Sequence, residues 1–171
     1  MFNKHKSKTV VFLSCITMAL FATPTLSSNV MDAVIKKQVS DSYNSQVECL
    51  AKNIYYESGT ESYEGKLAVA QVTLNRVNSP KFPHDVCAVV YQKTQNTCQF
   101  SWTCMALQTI KDKYAWEESL MIAKRALTQP HMHDIIAKTN ALYYHATYVN
   151  PEWNKTKVVA RIGNHIFYAS I

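Results

Sequence analysis

Residues 48–77 read ECLAKNIYYESGTESYEGKLAVAQVTLNRV, and the rest of the chain is organised around them. Val47, Leu50, Ala51, Ile54 and Tyr55 recur at helical spacing and mark one buried stripe. The run stops at Glu57-Ser58-Gly59-Thr60, where Gly59 is expected in the left-handed conformation that ends a helix. A second helical pattern follows, with Leu67, Ala70, Leu74 and Val77 on one face and Val69 and Val72 widening it. Glu57 thus falls on the last turn of one helix, facing the start of another. The C-terminal end of a helix is partially negative and disfavours ionisation of a carboxylate. That position suits a carboxylic acid that keeps its proton near neutral pH.

Downstream, Ser79-Pro80-Lys81-Phe82-Pro83 is a turn, because two prolines forbid helix. A short helix carries Val86, Val89 and Val90, and Gln92 to Thr103 reads as a polar loop. Asp112 is the N-cap expected for a third long helix, with Trp116, Leu120, Ala123 and Leu127 as its stripe and Pro130 beyond its end. From Ala141 the period changes to two. Ala141 to His145, Val158 to Ile162 and His165 to Ala169 read as strands, the last two joined by a Gly163-Asn164 hairpin turn. The fold class is α+β, a mainly helical body with a small antiparallel sheet near the C-terminus. All three glycines, at 59, 65 and 163, are read as positions fixed by backbone geometry.

Upstream, residues 1–28 have the layout of a secretory signal peptide: Lys4, Lys6 and Lys8, then an apolar run from Val10 to Ala22, then small or polar residues. The apolar run is too short for a comfortable permanent membrane span. Residues 29–45 read as a polar linker or loose first helix in which Val30, Val34 and Ile35 could pack, and residues 46–171 as the catalytic domain. The full chain carries 18 basic and 12 acidic residues. Without the three leader lysines the excess falls to +3, a mild attraction for an anionic polymer such as a cell wall. The lysines are scattered and form no stripe of the kind that binds nucleic acid.

Four cysteines follow the leader, Cys49, Cys87, Cys98 and Cys104, and an even number in an exported chain reads as two disulfides with three possible pairings. Cys98 and Cys104 are the local pair; Cys49 and Cys87 would then staple the first helix to the segment after the second. Zinc is the competing reading, but the spacing contains no Cys-x-x-Cys.

The segment NIYYESGTESYEGKLAVAQVTLNRV resembles the signature of the SleB/CwlJ-type cell-wall hydrolases, the spore cortex-lytic enzyme family. FPHDVCAVVYQ, CQFSW, YYHATYVNPEW and RIGNHIFY match further blocks in the family's order, so the resemblance spans about Glu48 to Tyr168. It implies a lysozyme-like helical body and lytic transglycosylase chemistry on peptidoglycan glycan strands. Glu57 matches the catalytic glutamate. Gln99 and Ser101 match the QFS block, and Tyr144 and His145 the YHA block, as substrate-binding candidates. Trp153 and Tyr148 suit stacking on sugar faces. His145 is a candidate either for orienting Glu57 or for a buried polar contact, whereas His165, Phe167 and Tyr168 read as structural. Glu61 is the candidate second carboxylate of a hydrolytic muramidase, and Glu64 belongs in the first turn of the second helix.

No metal or cofactor is expected, because His131-Met132-His133-Asp134 offers no obvious third ligand, and no Cys or Ser has a convincing His partner. The expectation is an exported monomer acting in the periplasm or cell wall, without membrane insertion once the leader is removed. A hydrolytic muramidase, an amidase and a non-catalytic wall-binding protein are the alternatives.

Overall fold

The computed structural model describes residues 28–106, 109–129, 131, 133–151 and 156–171. The chain runs α1 (Ser28–Ser58), α2 (Tyr63–Val77), α3 (Val86–Val90), a 3-10 turn (Ser101–Cys104), α4 (Lys113–Thr128), α5 (Asp134–Lys138), β1 (Tyr143–Ala146), β2 (Thr156–Ile162) and β3 (His165–Ser170). The three strands form one antiparallel sheet in the order β1-β3-β2. The expected α+β class, helical body first and small sheet last, is what the chain adopts. Most of the expected signal peptide lies outside the described residues. Among the described residues no helix is long and apolar enough to cross a membrane.

Residues 29–45 are the first half of α1, with Val30, Val34 and Ile35 close to half exposed and unpacked. No glycine or proline interrupts residues 28–58. A helix nucleated by its buried C-terminal half therefore propagates backwards at little cost, helped by the Lys37–Asp41 pair at 2.7 Å. The buried half carries Val47, Leu50, Ala51 and Ile54. At its end Ser58 Oγ donates to the Ile54 carbonyl (2.9 Å) and the Gly59 amide to that of Tyr55 (3.0 Å). Gly59 does not adopt the expected left-handed backbone, which among the glycines belongs to Gly163 (φ 54°). It is constrained by space, since a Cβ there would collide with the Tyr55 carbonyl. Ser62 then caps α2 by accepting from the Gly65 amide (3.3 Å), with Glu64 in the first turn.

Helix α2 is buried on every face, beyond the single stripe its apolar pattern suggests. One side packs into a cluster with Val47, Leu50, Ile54, Val90, Phe100 and Ile122. The other packs into a second cluster with Ile136, Ala141 and Phe167. Most of its polar side chains are buried and bonded to other elements. Asn53 Nδ2 donates to Thr73 Oγ1 (3.1 Å), and Asn75 Nδ2 donates to the carbonyls of Ile136 and Ala141 (3.0 Å each). Arg76 Nε donates to the carbonyl of Leu142 (2.8 Å), and Lys66 pairs with Glu118. Asp112 caps α4 through the Ala115 amide (3.0 Å), as expected.

Both disulfides form, Cys49–Cys87 and Cys98–Cys104. The first closes a separation of 38 residues and ties α1 to α3. Replacing Cys49 and Cys87 together by alanine is expected to lower stability by ~2–4 kcal/mol, chiefly by freeing the unfolded chain. Urea denaturation would read this as a lower midpoint, and an unchanged midpoint would deny the staple its role.

Candidate active site

Glu57 lies on the last turn of α1, half-buried, in a cavity of about 240 Å³ lined by Tyr55, Tyr56, Glu57, Gly59, Thr60, Asp112 and Ala115. The cavity wall is stiff. Tyr55 Oη accepts from the backbone amides of Lys111 and Asp112 (3.0 Å each), which fixes the start of α4 against α1. Burial raises the Glu57 carboxyl above the ordinary glutamate value. Two influences oppose it, a hydrogen bond from Tyr144 and the positive charge of Arg76, and burial prevails.

Tyr144, on β1, donates its hydroxyl to Glu57 Oε2 at 3.2 Å. Burial, and then the charge of Glu57, push its phenol well above the tyrosine range, so Tyr144 remains a donor. Its ring meets His165 edge to face (5.3 Å between centroids) and lies against Phe167 (5.6 Å). His165 is buried, with its Nδ1 unpaired. Desolvation lowers its pKa against a raising influence from Glu61, and His145 adds to the lowering, which favours the neutral imidazole.

Arg76 stands behind this pair, 4% exposed, between the rings of Phe82 (5.3 Å) and Phe100 (5.1 Å). Its Nε bond to Leu142 fixes the backbone two residues before Tyr144, while its Nη1 is buried without a hydrogen-bond partner. Burial lowers its pKa, opposed by Tyr144, Glu57 and Tyr143. An arginine nevertheless stays charged. The site therefore contains a half-buried carboxyl, a permanent donor on it and a buried positive charge beyond.

Of the residues anticipated from sequence, Glu57 and Tyr144 are in direct contact. His145 is the next residue on β1 and so points to the opposite face. There its Nε2 lies 2.7 Å from Tyr168 Oη and its ring stacks on Tyr168. Ser101 opens the 3-10 turn and is exposed; the Gln99 backbone N–H donates to the Gln92 backbone carbonyl (2.9 Å). In that block the residues seated on the helical body are Phe100, which is buried, and Trp102, whose Nε1 donates to Asn53 Oδ1 (3.2 Å) and whose ring lies 4.7 Å from Tyr56. Trp153 lies outside the described residues, and Tyr148 is 88% exposed.

Glu61 is engaged by the hairpin, accepting from the Asn164 amide (3.1 Å) and Nδ2 (2.9 Å). A Cβ at Gly163 would meet that carboxylate, which would have to swing aside, and the positive φ of 54° is what favours glycine at this turn. His133 faces inward, 3.6 Å from Glu64. Sequence reasoning missed Arg76, Tyr56 and Trp102 as parts of the site. All three lie inside the blocks that carry the family resemblance, and Arg76 carries a second signal, a guanidinium inside an otherwise apolar helical pattern.

The model of the Cell Wall Hydrolase family matches residues 60–168, beginning three residues after Glu57. The chain is 29% identical over 143 residues to the spore cortex-lytic enzyme of Bacillus subtilis, covering 80% of this chain and 41% of the relative. It is 30% identical over 128 residues to that of Oceanobacillus iheyensis, covering 71% and 40%. The chain thus spans about two fifths of the length of these relatives. Among solved structures it is similar to the catalytic domain of the Bacillus cereus SleB protein, with a TM-score of 0.51 and 27% identity over 72% of this chain and 89% of that one. With the family match covering well over half of its residues, the chain belongs to the cell wall hydrolase family.

Proposed function

We propose that this chain is an exported peptidoglycan-cleaving enzyme, a lytic transglycosylase that breaks the bond between N-acetylmuramic acid and N-acetylglucosamine with Glu57 as its one acid and base. The observation that carries the reading is the Glu57 carboxyl, raised by burial inside a cavity and held by Tyr144. A glycosidic bond breaks when an acid protonates the leaving oxygen while an oxocarbenium-like centre develops. Glu57 gives that proton to the bridging oxygen, and the C–O bond breaks toward it. The muramic acid C6 hydroxyl then attacks C1, its proton passes to the Glu57 carboxylate, and a 1,6-anhydro end results. The acid is regenerated without water.

Tyr144 and Arg76 do their work in the middle of this cycle. Burial favours the protonated acid at the start, and the Tyr144 donor and the Arg76 charge stabilise the carboxylate once the proton has left. Glu61, committed to Asn164, is poorly placed to activate a water, which favours the intramolecular route over hydrolysis. The names of the relatives, spore cortex-lytic enzymes, support a wall substrate. Two disulfides fit an oxidising compartment outside the cytoplasm, periplasm or cell wall.

Glu57→Gln should reduce release of soluble fragments from purified sacculi by roughly 10²–10⁴-fold with the fold intact. Mass spectrometry of the wild-type digest should find anhydro-muramoyl ends. Reducing ends would instead indicate a muramidase, free stem peptides an amidase, and binding without fragments a dead site.

Tyr144→Phe removes a hydrogen bond made to the charged form of Glu57, so the Glu57 pKa rises further. The acid then stays protonated to higher pH, and the alkaline limb of the pH–rate profile is expected to move upward while the maximal rate falls. A limb that stays in place would dissociate Tyr144 from the acid.

Linkage supplies a test that needs no turnover. Folded Glu57 holds its proton more tightly than the unfolded chain does. Its contribution to stability is therefore full below the ordinary glutamate value and is lost as pH rises through the raised one. Glu57→Gln should flatten that decline in urea melts taken across the same pH range, and an identical slope in both proteins would contradict the raised pKa.

A further inference from the structure

Beside the Glu57 cavity, and sharing Tyr56 with it, lies a second cavity of about 250 Å³ lined by Lys52, Tyr56, Tyr91, Trp102, Thr103, Met105 and Ala106. Its wall is aromatic. Tyr56 packs against Trp102 at a tilt (4.7 Å, 30°), and Tyr91 meets Trp102 edge-on (5.7 Å, 69°). The platform is built to stay in place, because Asn53 accepts the indole N–H and Thr73 in turn accepts from the Asn53 amide. That chain of bonds runs from the surface cavity into the buried helix α2.

Lys52 precedes Tyr56 by one turn on the same face of α1. Its side chain is one-third exposed and its ammonium rests 2.7 Å from Glu48, itself mostly exposed. An exposed i,i+4 pair of this kind is worth only a few tenths of a kcal/mol, so Glu48 competes weakly for the ammonium against a ligand carboxylate. Lys52 and Glu57 are five residues apart, about 7.5 Å along the helix axis and about 140° around it, and Tyr56, which lines both cavities, is the surface over which a glycan strand passes from one to the other. Aromatic faces with one convergent charge are the usual means by which a pocket fixes an amphipathic ligand.

We infer that this second cavity is a binding subsite for an N-acetylhexosamine whose substituent carries a carboxylate, with the sugar face on Tyr56, Tyr91 and Trp102 and the carboxylate on Lys52. The inference rests on the glycan-cleaving reading and adds a specificity to it. In a wall strand the carboxylate is either the free lactyl acid of muramic acid or an acid of the peptide attached to it. Strands in which that charge is absent lose the lysine contact while keeping the aromatic one.

The experiment measures binding in a protein that does not turn over. Glu57→Gln is titrated calorimetrically with a N-acetylglucosamine–N-acetylmuramic acid tetrasaccharide as the free lactyl acid, with its stem peptides, and with the carboxylates of each converted to amides. At least one acid form should bind roughly three- to tenfold tighter than its amide, and that form identifies the source of the charge. Adding Lys52→Met should erase the preference, and Lys52→Arg should keep it. Adding Tyr91→Ala, at an exposed position, should weaken acid and amide alike. Equal affinity for every acid and its amide, or a preference that survives Lys52→Met, would overturn the subsite. Because the readout is binding, that failure is distinct from a failure of Glu57, which shows itself in sacculus digestion.

Discussion

Helix α2 is covered on all sides, and its polar residues bond the backbone of the segment that leads into β1. Asn75 takes the carbonyls of Ile136 and Ala141, and Arg76 takes that of Leu142. Each such bond adds only about 1 kcal/mol net, but leaving the buried group unpaired costs about 1–3 kcal/mol. These bonds therefore act mainly as a constraint on where the sheet can sit. They join two apolar clusters, one under α1 and α4 and one under the sheet, across a single helix. The consequence is local. Tyr144, two residues past Leu142, is held against a carboxyl 87 positions earlier in the chain.

The opposing influences on Glu57 make sense in that frame. A carboxyl buried with no donor would hold its proton too firmly to give it up, and one fully solvated would have lost it already at neutral pH. Here burial acts against the Tyr144 hydrogen bond and the Arg76 charge, and the balance falls on the side of the acid. Arg76 can contribute because it is not consumed by a salt bridge: its Nε goes to a backbone carbonyl and its Nη1 has no hydrogen-bond partner. A carboxylate placed directly on it would have screened the charge from Glu57. The flanking rings of Phe82 and Phe100 accommodate the cation without neutralising it.

Much of the fold was legible because local rules sufficed. The Gly163-Asn164 turn, the cap at Asp112 and the two helices meeting near Glu57 follow from short-range chemistry and hydrophobic period. What escaped was set at long range. Nothing in the spacing of α2 tells that Thr73, Asn75 and Arg76 are interior, because their partners come from other elements. The helical state of residues 29–45 depends on a nucleus in the next two turns, and the role of Gly59 on one carbonyl four residues back. In the site, the family motif named Tyr144 and His145 together, but strand geometry separates them and only Tyr144 faces the acid. Trp102 was passed over beside Gln99 and Ser101 because its importance lies in where the 3-10 turn docks, on Asn53 of another helix.

The position of Glu61 is the last link between fold and chemistry. A second carboxylate four residues after Glu57 would invite a two-carboxylate mechanism, in which one group protonates and the other attacks or activates water. Here its oxygens accept both donors that Asn164 offers, and the turn at Gly163 is shaped around it. The hairpin tip that Glu61 steadies leads directly into His165 and Phe167, the two rings that support Tyr144, and β3 itself is held by its pairing with β1 and β2 and by the burial of Phe167. Glu61 thus meets the site only through the β2–β3 turn, one strand away from the donor on β1. Under the proposed function this leaves Glu57 as the one proton-transferring carboxyl, with the C6 hydroxyl of the substrate as the nucleophile it serves.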